Sequence, residues 1–162
     1  MDSKDYERLI KQEIYHQLTE NVAFTNVLSF IDEVPYDKIG IRPAQLPYSF
    51  YEVFYHLWLS QRDILDFISA ENYNEKKWPE DYWPKEQQPR DEYEWKRFKT
   101  EFREDFKTIQ EILENEKQFL LRPVKFATND TQTLLRELLL ILNHNAYHIG
   151  QLQIILRLLG VK

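Results

Sequence analysis

The sequence predicts an all-α protein, a four-helix bundle with long loops between its helices. The chain has only three glycines in 162 residues, too few for the many tight turns of an all-β fold. Apolar residues recur at helical spacing in four segments, and prolines and glycines concentrate between them. A chain of this length is expected to form one domain, residues 1–162, and four helices in one domain most often form a bundle.

The first two helices are predicted from their periodicity and their boundary residues. The first is predicted from Ser3 to Ile31, where leucine, isoleucine and valine recur every three or four residues. Several prolines then interrupt the chain. Ser49 is expected to cap the second helix, with Glu52 three residues later completing a capping box, and this helix is predicted to end near Asn72.

A loop rich in aromatic residues is predicted between the second and third helices. The segment from Tyr73 to Asp91 contains three prolines and no regular period. We expect the loop to be ordered, because so many aromatic rings would not be left in water. Two interpretations remain open at this point. The loop closes one end of the bundle, or it lines a substrate pocket with aromatic walls, which would favour an apolar or aromatic substrate.

The last two helices follow the loop. The third is predicted from about Asp91 to Glu116, with a row of aromatic and aliphatic residues on one side. The fourth is predicted to begin after an N-cap at Thr131 and to stop at Gly160, because glycine favours helix termination.

Composition excludes several classes of function. A formal net charge of −6 argues against a nucleic-acid-binding protein, which would present a basic surface. The absence of cysteine removes disulfides and thiolate ligands, and it fits a cytoplasmic protein. No segment has the length of uncharged apolar sequence that a membrane span needs, so no membrane association is expected.

Two histidines stand one helical turn apart in the predicted fourth helix. His144 and His148 point to the same side of the helix as Ile141, Leu152 and Ile155, and therefore toward the bundle interior. A single histidine at such a position is most often a core residue with a hydrogen-bond partner. A pair at this spacing favours a shared cation, because two adjacent imidazoles are difficult to satisfy in an apolar core.

A third ligand is needed, and His56 in the second helix is the candidate. Three imidazoles with open coordination positions are typical of a catalytic metal site. Imidazole suits zinc, nickel, iron and copper, and the ligand type alone does not choose among them. His16 is expected on the surface. The pair Glu13 and His16 is the only Glu-x-x-His motif, whereas a di-iron carboxylate bundle requires two, so that class is disfavoured.

Three segments resemble the DinB/YfiT-like superfamily: Tyr55 to Trp58, Trp78 to Pro84, and His144 to Gln151 with its His-x-x-x-His-x-Gly-Gln pattern. The resemblance extends over nearly the whole chain. It implies a four-helix bundle with a divalent metal ion, zinc or nickel, bound by three histidines. Those positions correspond here to His56, His144 and His148.

The resemblance also implies frequent homodimers and chemistry on low-molecular-weight thiols by transferases and isomerases. A homodimer is further favoured by apolar residues such as Leu139 and Leu140, which lie away from the histidine face. The expected partners are therefore a small-molecule substrate, such as a low-molecular-weight thiol, and a second copy of the chain.

Two residues near the histidines are candidates for a catalytic role. Gln151 follows His148 by three residues and is expected to bind it or to line the pocket. Glu52 lies one turn before His56 and is expected either to orient it, to act as a base, or only to complete the capping box.

The leading hypothesis is a metal-dependent enzyme that activates a thiol for transfer to a small electrophile. The first alternative is a hydrolase that uses metal-bound hydroxide on an ester or amide. The second is a non-catalytic bundle that binds a ligand or a partner. The sequence does not separate these hypotheses.

Overall fold

Four long helices dominate the computed structural model, which describes residues 2–161. They are α1 (Ser3–Thr19), α2 (Phe50–Ser69), α3 (Glu92–Glu114) and α4 (Leu134–Leu158). The described residues contain no β-strand, so the predicted all-α class and the four-helix bundle are confirmed. None of these helices combines the length and the apolar character that a membrane crossing requires.

The helices pack so that α2 and α1 each contact both α3 and α4. Aromatic rings fill the interface between α2 and α3. The Phe54 ring lies 5.0 Å from that of Trp95 and 5.3 Å from that of Phe102, both edge to face. Phe54 and Phe102 are fully buried. Burial of this size contributes roughly 1.5–3 kcal/mol for each large apolar side chain.

Helix α1 ends at Thr19, so the prediction that it continues to Ile31 is wrong. The side-chain amide of Asn26 donates to the Leu18 carbonyl at 2.6 Å, and its oxygen accepts from the backbone amide of Leu28 at 3.0 Å. Asparagine competes with helical hydrogen bonding in this way. The apolar periodicity continues because short 3₁₀ turns at Val27–Ser29 and Ile31–Glu33 bury their apolar side chains without an α-helix.

Helix α2 begins with the predicted capping box. The Glu52 carboxylate accepts from the Ser49 amide at 2.7 Å, and the Ser49 hydroxyl accepts from the Glu52 amide at 3.2 Å. These bonds satisfy two amides that the first turn of a helix leaves free. The helix ends at Ser69, three residues before the predicted Asn72.

Helix α4 is capped by Thr133 and not by Thr131. The chain before the helix is held by an isolated bridge between Pro123 and Thr133, which sets the first helical residue. At the other end Gly160 adopts a φ of +66°, and its amide bonds to the Arg157 carbonyl at 3.1 Å. The next amide, of Val161, bonds to the Leu156 carbonyl, which completes a Schellman motif at the predicted glycine stop.

A group of polar residues crosses the bundle between α2, α3 and α4, and we call it the Asp105 cluster (Gln61, Arg62, Asp105 and Asn145). Arg62 is half-buried and the other three are buried. Arg62 Nη2 lies 2.5 Å from Asp105 Oδ1. The Gln61 amide donates to Asp105 Oδ2 at 3.4 Å, and the Asn145 amide donates to Gln61 Oε1 at 2.8 Å. Each of these named donors therefore meets an acceptor, whereas the buried oxygen Asn145 Oδ1 accepts no hydrogen bond within residues 2–161.

Candidate metal centre

The packing of α2 against α4 brings together the three predicted histidines, which we call the histidine cluster (His56, His144 and His148). His56 is 1% exposed and His148 is 5% exposed, whereas His144 is half-buried. His56 faces α4 from α2, and the other two lie one turn apart on α4 with their rings edge to face. His16 is exposed on α1, away from this group.

The three rings of the histidine cluster converge. The centroid of the His56 ring lies 5.0 Å from that of His144 and 4.7 Å from that of His148, and the last two are 4.4 Å apart. His144 Nε2 is 3.1 Å from His56 Nε2. One nitrogen of each ring lies within 4.8 Å of those of the other two. Two nitrogens bound to one tetrahedral zinc ion would be about 3.3 Å apart, given Zn–N bonds of about 2.0–2.1 Å.

The outer nitrogens of two rings are held by oxygen atoms. His56 Nδ1 lies 3.1 Å from the carbonyl oxygen of Tyr82, and His148 Nδ1 lies 2.7 Å from Gln151 Oε1. Because these oxygens accept hydrogen bonds, each Nδ1 must carry the proton. The Nε2 lone pairs of His56 and His148 therefore face inward, in the tautomer that metal-binding histidines use.

Burial keeps the cluster uncharged. Burial, together with a smaller effect of the neighbouring histidines, lowers the pKa of His56 to about 4 and that of His144 to about 3. Burial also lowers the pKa of His148, against the opposing effect of the bond to Gln151. At neutral pH all three imidazoles are in the neutral form that coordinates a cation.

These observations fit a divalent metal ion. The donor set is three neutral imidazoles on two rigid helices, with two of their outer nitrogens already bonded. His56, His144 and His148 would hold the ion through three nitrogens. A three-nitrogen set leaves coordination positions for water or substrate, as in catalytic zinc sites.

Aromatic side chains surround the histidine cluster. The Trp83 ring stacks on His56 at 4.1 Å with planes 1° apart, and the Trp78 ring lies 5.9 Å from His56. Tyr147 contacts His148 edge to face at 4.8 Å. Trp78 is 67% exposed and Tyr147 is 65% exposed. The loop is therefore ordered over the cluster, and two of the rings beside it remain accessible to solvent.

Glu52 and Gln151 occupy different environments. Gln151 bonds directly to His148, as described above. Glu52 is buried at the start of α2, where its carboxylate binds the Ser49 amide and forms an ion pair with Arg42. These hydrogen bonds outweigh the effect of burial and lower the pKa of Glu52. A carboxylate with this set of partners is a weak base, and its contacts are those of a helix cap.

Sequence reasoning missed the direct partners of His56 and the ion-pair partner of Glu52. Tyr82 contributes a backbone carbonyl, which no side-chain motif reveals, and Trp83 contributes a stacking ring that the loop composition indicated only in general. Arg42 lies ten residues before Glu52 in an irregular segment. Only the path of the chain brings it to the carboxylate.

Fold and site together define a helical bundle protein in which three histidines from two helices can hold a metal ion. The chain belongs to the DinB superfamily, whose sequence model matches residues 21–152. That range includes His56, His144 and His148, and it confirms the resemblance seen in the sequence. No curated protein and no solved structure gives a significant match to the chain.

Proposed function

We propose that this protein is a metal-dependent enzyme that transfers a low-molecular-weight thiol to a small electrophile. The observation that supports the proposal is the convergence of three neutral imidazoles, one nitrogen of each lying within 4.8 Å of those of the other two. Zinc or nickel is the proposed ion. A bound divalent ion supplies Lewis acidity that lowers the pKa of a thiol or a water molecule.

The thiol must come from a substrate because the chain has no cysteine. In the proposed reaction the thiol sulfur forms a bond to an electrophilic carbon. The leaving group departs with the bonding electron pair, and the thiol proton passes to solvent. His56, His144 and His148 hold the site, and Gln151 holds His148 in its tautomer.

The aromatic surroundings support an apolar or aromatic electrophile. Trp78 and Tyr147 each contact a histidine ring and remain mostly exposed, so a planar group could stack on them without moving the core. This is the pocket-lining interpretation of the loop. We therefore propose 1-chloro-2,4-dinitrobenzene as a probe, from which a thiol displaces chloride.

The test starts with protein purified without a histidine tag. Metal analysis is expected to find about one zinc or nickel ion per chain, and absence of metal binding would overturn the proposal. The zinc- and nickel-loaded proteins are then assayed with cysteine or glutathione and the chlorodinitrobenzene probe, and in parallel with p-nitrophenyl acetate. Thioether formation supports transfer, ester cleavage alone supports the hydrolase, and neither activity supports a binding protein.

The proposed catalytic role of Glu52 is separable from its role in the cap. Glu52→Gln keeps an acceptor for the Ser49 amide but cannot take up a proton at neutral pH. A large loss of kcat with unchanged folding stability would support a role for Glu52 as a catalytic base. An unchanged kcat would restrict its role to the helix cap and the Arg42 ion pair.

A homodimer in the cytoplasm is also proposed. The outer face of α4 exposes Leu139, Leu140, Ile154 and Leu158, each more than 40% accessible. Exposed apolar residues on one face of a helix are typical of an interface. Light scattering at micromolar concentration is expected to give twice the chain mass, and Leu140→Glu is expected to give a monomer. A monomeric wild-type protein would end this part of the proposal.

A further inference from the structure

Asp63 is a buried carboxylate that binds three donors of the aromatic loop. It lies on α2 two turns after His56, on the same side of the helix, and is 6% exposed. It accepts from the Tyr82 hydroxyl at 2.6 Å, from Lys76 Nζ at 3.0 Å and from the Tyr73 hydroxyl at 3.4 Å. One carboxylate thus holds the loop at three points against the helix that carries His56.

Tyr82 connects Asp63 to the histidine cluster. Its hydroxyl is bound by Asp63, and its backbone carbonyl accepts from His56 Nδ1 at 3.1 Å. The next residue, Trp83, stacks on the His56 ring. The hydrogen bond to His56 Nδ1 and the stacking of Trp83 on the His56 ring therefore both depend on where Tyr82 is placed.

We propose that Asp63 is a positioning residue for His56. By holding the Tyr82 side chain, it keeps the Tyr82 carbonyl against Nδ1, so that the proton stays on Nδ1 and the Nε2 lone pair faces His144 and His148. The expected effect of Asp63 on metal affinity rests on the proposed metal site. Its central claim, the tautomer of His56, applies equally to the metal-free protein.

The charges around Asp63 suit this role. Lys76 neutralises the buried carboxylate, and both phenols are held as donors because burial, reinforced by Asp63, raises the pKa of Tyr73 and of Tyr82. The hydrogen bond from Tyr82 to a charged acceptor is of the stronger kind.

The first experiment measures the histidine tautomers in metal-free protein by ¹⁵N NMR. The wild-type protein is expected to show His56 protonated at Nδ1. In Asp63→Ala and in Tyr82→Phe we expect a mixture with the Nε2-protonated form. Asp66→Ala is the matched control, since Asp66 lies one turn along the same helix and does not accept these three bonds; it is expected to match the wild type.

A His56 tautomer unchanged in both Asp63→Ala and Tyr82→Phe would overturn the proposal. If Asp63→Ala does not fold, Tyr82→Phe decides alone, because it removes one hydroxyl and keeps the ring and the carbonyl. Asp63→Glu, which retains the carboxylate, is expected to restore part of the wild-type tautomer. A residue that only stabilised the fold would change the unfolding midpoint without changing this equilibrium.

The second experiment titrates the same variants with Co²⁺. We expect Asp63→Ala to bind Co²⁺ about tenfold more weakly, the lower end of the effect of outer partners on metal ligands, with an altered d–d absorption spectrum. Asp66→Ala is expected to match the wild type in both. Failure of the wild type to bind Co²⁺, zinc or nickel would remove the metal function, whereas the NMR result would still decide whether Asp63 positions His56.

Discussion

The histidine cluster and the Asp105 cluster are two groups of largely buried polar side chains where α2 contacts α4, and the Asp105 cluster also includes a residue of α3. They are adjacent in sequence, since His144 is followed by Asn145, and His56 precedes Gln61 by little more than one turn. In the Asp105 cluster, amide and guanidinium donors meet carboxylate and amide acceptors. In the histidine cluster, the inward nitrogens of His56 and His148 are both acceptors, and His144 can donate only one proton to them.

The difference separates a structural polar group from a binding site. A polar cluster whose donors meet acceptors of the fold holds the helices in one register without a ligand. A cluster of converging lone pairs needs a hydrogen-bond donor or a cation from outside the fold. Because burial lowers the pKa of these histidines, protons are disfavoured at neutral pH, and a metal ion is the partner that we propose.

Burial also shifts pKa values in opposite directions in the two clusters. It raises the pKa of Asp105 to about 7, against the lowering effects of Arg62 and Gln61. It lowers the pKa of the histidines. Both shifts favour the uncharged form, as expected when a charge leaves water. The variants below test how far the two clusters act independently.

The largest effect is expected from His144→Ala. Free zinc at 100 times its dissociation constant should stabilise the wild type by about 2.7 kcal/mol and raise its melting temperature by roughly 5–10 °C. The variant loses one of three ligands, so this rise should disappear, as measured by calorimetry with and without zinc. His16→Ala removes an exposed histidine and should behave as the wild type. One equivalent of zinc bound with wild-type affinity to His144→Ala would contradict the assignment.

Gln61→Leu tests the Asp105 cluster. The change removes both bonds of the Gln61 amide and leaves the buried Asn145 amide without its acceptor, which should lower the free energy of unfolding by about 2 kcal/mol. Urea denaturation of the metal-free protein measures this loss. Zinc affinity should remain that of the wild type, and a clear loss of affinity would show that the two clusters are coupled.

Gln151→Leu makes the corresponding change beside the histidine cluster. Loss of the acceptor for His148 Nδ1 should weaken zinc binding about tenfold, equivalent to about 1.4 kcal/mol, as measured by competition with a chelator. The metal-free protein should lose little stability, because Gln151 is partly exposed and water can replace it. The reverse result, lost stability with unchanged affinity, would place Gln151 with the structural residues.

In the wild-type protein the pH dependence of stability is the net result of two effects that partly cancel. As the pH falls from 6.5 toward 4, unfolded histidines bind protons that native His56 and His144 do not, so the native state loses stability. Asp105 stays protonated up to about pH 7 in the native state but ionises near pH 3.8 in the unfolded state. Its contribution to the free energy of unfolding is therefore lost as the pH rises from 3.8 to 7. The two slopes oppose each other.

Asp105→Asn removes the effect of Asp105 on the pH dependence of stability and leaves that of the histidines. In the metal-free variant, stability should therefore rise more steeply with pH between 4.5 and 6.5, by at most one proton, about 1.4 kcal/mol per pH unit. Urea unfolding at several pH values measures the slope for the variant and the wild type. A shallower slope in the variant would contradict the raised pKa of Asp105.

Much of this architecture could be predicted because its causes are local. The capping box of Ser49 and Glu52 and the glycine stop at Gly160 depend on neighbouring residues, and both occur as predicted. The end of α1 could not be predicted in the same way. Its apolar pattern continues past Thr19, but Asn26 binds backbone groups eight residues back and two residues ahead, and this decides against the helix.

The sequence alone determined the bundle class and which three histidines could share a metal ion, because helical periodicity places His144 and His148 on one interior face. Only the tertiary structure decided their chemistry. The tautomer of His56 depends on a carbonyl 26 residues away, in a loop anchored by Asp63, and the lowered pKa of the cluster depends on burial by several elements at once. Periodicity is a property of one helix, whereas burial and hydrogen-bond partners exist only after the helices and the loop have packed.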